Sequence, residues 1–257
     1  MESTRPIRAL MRGFDALTVL NLRDGATVSE VAQEIRLPRT TAYRILETLC
    51  NAGFVLRDPA DDRYRLTVRV KALSGGFSDE LWVTQVATPR IVELGAELVW
   101  PVSLATFAGG VMILRETTDH ATPLAIERFS AGIRLPMLSS SAGRAYLACC
   151  PPAECEKLLD ELAHSNKEDA ALARAPRAEL LHTLAAIRDQ GYATSTRTRR
   201  MVEEISLSAP VMTGDRILAA LTVRFVASAV PLNTAMERFL PKLRQTAAMI
   251  ADGITIP

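Results

Sequence analysis

Apolar residues recur at spacings of three and four along much of this chain, which predicts helices, and alternate with polar ones in several short runs, which predicts strands. Leu10, Phe14, Leu17 and Val19-Leu20 predict a first helix, broken by turn-forming residues at 21–25. Two short amphipathic helices follow at 27–35 and 39–49, separated only by Arg36-Leu37-Pro38. Thr27, with Glu30 three places on, offers a capping box at the start of the first. Counted from Val28, the positions that a helix-turn-helix buries are Val31, Ile35, Leu37, Ala42 and Ile45, all apolar, and the position where the helices cross is the small Ala32. The turn position usually given to glycine, for its positive φ, is here Arg36.

The second of these helices is expected to bury Ala42, Ile45, Leu46 and Leu49 and to turn outward Arg39, Thr40, Thr41, Tyr43, Arg44, Glu47 and Thr48. Guanidinium forks, hydroxyls and a phenol are the groups that reach base edges and phosphates. An ordinary solvated helix face is the competing reading, but such a face carries more Glu and Lys, and here no acid precedes Glu47. Arg39, Thr40, Tyr43 and Arg44 are the expected base readers or phosphate clamps on double-stranded DNA, with Thr41 and Thr48 beside them. Gly53 follows the helix end, and 54–57 and 63–66 alternate as two strands around the turn-rich 58–62. That hairpin reads as a wing whose Arg57, Arg63 and Arg65 reach flanking backbone, although Asp58, Asp61 and Asp62 repel phosphate. A linker helix is expected over 67–77, ended by Gly75-Gly76, pairing two DNA-binding heads.

Beyond it the pattern is helical over 79–100, with Pro89 kinking or dividing the segment. Strands are expected at 102–107, 111–115, 124–128, 205–211 and 217–226, with Gly109-Gly110 as a hairpin turn. Helices are expected at 139–150, 152–164, 175–190 and 234–253. Gly143 and Ala145 are small enough for close packing. The fold class is therefore α+β: a winged helix-turn-helix at 1–66, a linker helix at 67–81, and at 82–257 a mainly antiparallel sheet flanked by helices.

Composition changes this picture little. The chain has 257 residues, enough for two domains, and a net charge of +1, split as +3 over residues 1–75 and −2 over the rest. No run of about 18 uncharged apolar residues predicts a membrane span and the N-terminus lacks a secretory signal, so a cytoplasmic protein is expected. Cys50, Cys149, Cys150 and Cys155 lack zinc-site spacing and read as free thiols; His120, His164 and His182 are scattered. Neither a metal nor a cofactor is expected. Ser139-Ser140-Ser141 has no nucleophile elbow around it, and no dinucleotide or phosphate loop occurs, which argues against an enzyme.

Residues 5–80 and 82–255 together resemble the IclR family of bacterial regulators. The resemblance is carried by Arg39 through Leu49 with Gly53, Arg65-Leu66, Leu135-Pro136 with Ser141 through Ala148, Gly191-Tyr192, Ser206 through Val211, and Leu218 through Val223. Val99-Trp100-Pro101, Leu114 through Thr118 and Val226 through Ala229 resemble the branch that regulates catabolism of 3-(3-hydroxyphenyl)propionate and related aromatic acids. What this implies is a GAF-like domain that binds a small organic acid, in a homodimer or dimer of dimers on a palindromic operator. The family's pocket maps onto Ser140, Ser141, Ala142 and Gly143, where helix amides can take an anion, and onto Ser206, Thr222 and Arg224. Thr106 and Met112 are the expected further walls. Arg224 stands where relatives often carry serine; facing inward it would suit a carboxylate, and at a sheet edge it would reach solvent. Aliphatic acids, or a second domain that only oligomerises, are the alternatives. Effector binding is expected to act by changing the spacing of the two DNA-binding heads.

Overall fold

A computed structural model of the chain describes residues 6–23, 25–73, 81–165, 169–199 and 201–254. It divides into two compact units, Met1–Ser78 and Asp79–Pro257.

The first unit begins with α1 (Arg8–Asn21), which buries Ala16 and Leu20 and leaves Leu10 and Phe14 outside. Then come α2 (Val28–Glu34) and α3 (Arg39–Asn51). Thr27 caps α2 in the expected reciprocal box, its Oγ1 accepting from Glu30 N while Glu30 Oε2 accepts from Thr27 N at 2.7 Å. Arg36 does take the left-handed turn conformation, at φ +51°. Ala32 and Ala42 are both buried, so the two helices approach without large side chains between them. The wing strands β1 (Val55–Asp58) and β2 (Arg63–Leu66) pair antiparallel from Val55↔Leu66 to Asp58↔Arg63. Tyr64 ties that hairpin to the body: its backbone exchanges both hydrogen bonds with Ala26, and its ring is fully buried.

Of the expected linker helix, residues 67–73 are described, and within them α4 (Arg69–Ala72) is helical, with Val68 and Leu73 exposed; the rest of the expected span up to 77, with Gly75-Gly76, lies outside the described residues.

In the second unit a π-helical turn (Val83–Ala87) precedes α5 (Thr88–Leu98). Pro89 explains it: proline has no N–H for the carbonyl four residues back and its ring crowds that carbonyl, so the turn widens and Thr88 N–H bonds Val83 O instead. Six strands form one antiparallel sheet: β3 (Val102–Ala108), β4 (Val111–Thr117), β5 (Arg134–Leu135), β6 (Ala193–Arg199), β7 (Val202–Thr213) and β8 (Arg216–Val226), in the order β5-β4-β3-β8-β7-β6. Gly109 and Gly110 both have positive φ, as the tight β3–β4 turn requires. Leu207, Ala209, Val211, Leu221 and Val223 point to one face, packed with α5 and α11 (Leu240–Gly253). The opposite face carries α6 (Ser141–Cys149), α7 (Pro152–Ala163) and α9 (Arg177–Gln190). The short α8 (Ala170–Ala173) joins α7 to α9, and α10 (Leu232–Arg238) precedes α11.

Three expectations need correction. Residues 124–128 are not a strand but part of an irregular segment, anchored by Asp119 Oδ2, which accepts from Phe129 N at 2.7 Å. The edge strand β6 was not foreseen. The closing helix is two helices, α10 and α11, parted at Phe239 because Pro241 starts a new first turn.

Candidate nucleic-acid interface and effector site

On α3, Ala42 and Leu46 are buried and Ile45 and Leu49 half-buried, while Arg39, Thr40, Tyr43, Arg44 and Thr48 are exposed and Thr41 half-exposed. The helix thus turns its guanidiniums and its phenol outward, as its spacing predicts. Thr48 spends its proton on Arg44 O, at 2.7 Å, keeping only an acceptor for a partner. Pro38 at the N-cap supplies no side-chain acceptor and the first turn holds no acid, so the positive end of the α3 dipole is left for phosphate.

The wing arginines are less free than their sequence implies. Arg57 Nε donates to Asp62 Oδ1 at 2.5 Å and lies 5.7 Å over the Tyr64 ring. Arg63 Nη1 donates to Gly25 O at 3.1 Å and to Glu30 Oε2 at 3.2 Å. Arg65 pairs with Asp58 and Asp61 at 2.7 and 2.5 Å. The aspartates expected to repel phosphate hold Arg57 and Arg65 first.

The expected effector residues gather mostly on the α6 side of the sheet. Ser208 Oγ donates to Ser141 Oγ at 2.7 Å and shares a 2.7 Å bond with Thr222 Oγ1, all three buried. Ser206 is half-buried on the same face of β7. Ser140 caps α6, accepting from Gly143 N at 3.0 Å. Gly143 is glycine for packing: a Cβ there would stand 2.4 Å from the Met137 backbone. Ala142 and Met112 are core residues. Thr106 sits elsewhere, at the far end of β3, accepting from Arg115 Nη1 at 2.9 Å.

The amides expected to receive an anion are largely answered within the chain. Leu138 N and Ser139 N donate to the buried Asp169 at 2.7 and 3.0 Å, and Ser141 N donates to Ser195 Oγ at 3.0 Å. Arg224 does face inward and is almost wholly buried, so the solvent-edge alternative falls. Its carboxylates, however, are the chain's own: Nη2 pairs with Asp119 and Nη1 with Glu204 at 3.2 Å, while the guanidinium lies 4.4 Å over the Phe129 ring. Its Nε is buried without an acceptor. Ser208, Ser195, Asp119, Glu204 and Phe129 escaped the sequence reading; for Ser208 the signal was its place two residues beyond Ser206 on one strand face.

All four cysteines are free thiols; Cys150 and Cys155 are buried, and Cys149 is held above the usual thiol range by burial. Among the described residues no group of three His, Cys, Asp or Glu is placed to hold a metal, and no helix is long and apolar enough to cross a membrane.

Comparison with known proteins agrees with this geometry. Residues 77–252 match the family described as bacterial transcriptional regulator IclR C-terminal, and residues 9–59 match the IclR helix-turn-helix domain. The HTH-type transcriptional regulator BhcR of Paracoccus denitrificans is 27% identical over 202 residues, 77% of this chain and 70% of that protein. Among solved structures, IclR of Thermotoga maritima aligns with a TM-score of 0.65 at 19% identity, covering 96% of this chain and 98% of that one. An IclR homologue from Microbacterium hydrocarbonoxydans, complexed with 4-hydroxybenzoate, aligns with a TM-score of 0.60 at 24% identity, covering 95% and 98%. This chain belongs to the IclR family of bacterial transcriptional regulators, with the family's helix-turn-helix domain followed by its C-terminal domain.

Proposed function

We propose that the chain reads a palindromic operator as a homodimer, or as a dimer of dimers, and that a small aromatic acid sets its affinity for that site. In this reading residues 1–66 bind DNA, 67–81 link, and 82–257 sense the effector and oligomerise. Its place of work is the cytoplasm, where the chromosome lies. The observation that carries the reading is the outward face of α3, where Arg39, Thr40, Tyr43 and Arg44 project from a helix docked through Ala32 and Ala42. Thr41 and Thr48 flank them, and Arg57 and Arg63 serve once their intramolecular acids let go. Dimer formation is supported by Ile7, Leu10, Met11 and Phe14, a stripe at helical spacing with each residue more than half exposed.

Selection of duplexes from a random library tests the reading, with enrichment of a two-fold symmetric motif as the expected result. On that motif Arg44→Ala lowers affinity by about 1–3 kcal/mol. No enrichment, or unchanged binding by an Arg39→Ala/Tyr43→Ala/Arg44→Ala chain, overturns it.

The aromatic class, and with it the branch controlling 3-(3-hydroxyphenyl)propionate-like catabolism, draws support from the 4-hydroxybenzoate complex of the Microbacterium homologue. The proposed effector site is the Ser140–Gly143 entry with Ser206, Thr222 and Arg224, walled by Met112; Thr106, expected as a further wall, lies apart from it at the far end of β3. A second reading, in which the C-terminal unit only oligomerises, is favoured by the pairing of Arg224 with Asp119 and Glu204. Thermal shift against aromatic and aliphatic acids separates the two, since a ligand of the folded state raises Tm by mass action. Operator titration with and without the acid that shifts Tm tests the change in head spacing: equal affinities reject it.

A further inference from the structure

The β3–β8 ladder runs from Val102↔Val223 to Ala105↔Ala220, yet β3 continues to Ala108 and β8 begins back at Arg216. The strands part there, and a cleft of about 750 Å³ opens between the end of β3 and the β7–β8 turn. That volume lies in the range of small-molecule sites. Its aromatic walls are Trp82 and the stacked pair Phe107 and Tyr146, with ring centroids 4.5 Å apart.

Two polar groups on this wall lack the partners that other polar groups of the unit have. Arg216 is exposed and has no ion-pair partner among the described residues, in contrast to Arg224, which has two. The Thr213 hydroxyl, opposite Arg216 in the hairpin register, is buried with no hydrogen-bond partner. A buried hydroxyl left so is costly unless something meets it. Deeper in the cleft Tyr146 donates to Glu154 Oε1 at 2.7 Å, and burial with that bond holds the phenol well above its ordinary range. Glu154 and Asp215 are the carboxylates on the cleft lining and Arg115 and Arg216 its cations; Arg115 is already held by Thr106, which leaves Arg216 to meet an anion.

We infer that this cleft is a ligand site separate from the Arg224 cluster, and that it takes a small planar aromatic carboxylate. Its carboxylate meets Arg216 and the Thr213 hydroxyl, its ring lies against Trp82 and Phe107, and a ring hydroxyl donates to Glu154. The site shares only Thr106 with the effector residues read from the sequence. It also touches the root of the second unit: Trp82 immediately precedes the π-helical turn, so the bound ring rests on the first described helix after the segment that joins the units.

The test is calorimetric titration of the full chain with benzoate and with 4-hydroxybenzoate, benzylamine serving as the cationic control. Binding of the carboxylates and not of the amine is expected, with the hydroxylated ring tighter. Arg216→Gln should weaken binding about tenfold or more, as loss of a charge-assisted bond does, and Arg216→Lys should recover part of it. In a Trp100→Phe chain the remaining Trp82 emission should change with the same midpoint. No binding, equal affinity in Arg216→Gln, or a Trp82 emission that does not follow the titration overturns the assignment. Operator affinity does not enter these readouts, so the regulatory reading stands or falls apart from them.

Discussion

The hydroxyl of Tyr64, on the second wing strand, donates a 2.8 Å hydrogen bond to Glu47 Oε1 on the recognition helix. Burial and the neighbouring carboxylate keep that phenol protonated far above neutral pH. The one acid on the outward side of α3 is therefore turned to an internal task and kept from repelling phosphate. Tyr64→Phe should destabilise the first unit by about 1.5–3 kcal/mol, the range for a hydrogen bond to a charged group. It should also weaken DNA binding, because the released Glu47 carboxylate is free to swing toward the duplex. Urea unfolding and operator titration of the same variant check both; full retention of each would mean the bond is idle.

Asp62 holds Arg57 in the free protein. Asp62→Asn should release that guanidinium and remove one negative charge from the wing tip. Binding to non-cognate duplex should tighten, and the dependence of log K on log salt should steepen by about one phosphate contact. Asparagine tolerates the left-handed conformation of this position, φ +57°, so the hairpin itself should survive. An unchanged salt slope would place Arg57 away from DNA.

Glu30 is held below the usual glutamate range, first by the Thr27 backbone N–H, then by the Thr27 hydroxyl, with Arg63 and Arg23 adding to it. A lowered folded-state value means that the stabilisation is complete at neutral pH and fades as acid protonates the folded carboxylate. Glu30→Gln and Thr27→Ala should each cost about 1 kcal/mol at neutral pH. The deficit of Glu30→Gln should shrink as the pH falls through the acid range below the ordinary glutamate value, where the wild-type carboxylate takes up its proton. A deficit independent of pH would assign the loss to packing.

Asp119 and Arg224 are both buried and lie 105 residues apart in sequence. Removing the carboxylate strands much of the guanidinium's charge, with Glu204 still in place. Asp119→Ala should therefore cost about 3 kcal/mol, the low end for a broken buried pair. Added acetate should raise Tm more in this variant than in the wild type. Equal responses to acetate would mean that the vacated place is closed to small carboxylates.

The first unit was legible because a helix-turn-helix is fixed by short-range spacing. Val31, Ala32, Ala42 and the turn at Arg36 lie within one unbroken stretch, and nothing distant overrides them. The edge strand β6 was harder, since Ala193–Arg199 has almost no apolar residues; threonine at 194, 196 and 198 was the available signal of a strand face. Residues 124–128 open on the apolar run Leu124-Ala125-Ile126, but Pro123 and the anchoring of Phe129 by Asp119 hold them out of the ladder. The state of the candidate effector site was not legible at all. Whether Arg224 awaits a ligand or already has its carboxylates depends on Asp119 and Glu204, which only the sheet topology brings to it.

The wing hairpin carries three arginines and three aspartates over residues 57–65, and most of them are joined to one another. A tip with no net charge displaces few counterions, so its grip on arbitrary sequence is slight. Residence on wrong stretches of DNA should therefore owe little to the wing, whatever α3 contributes.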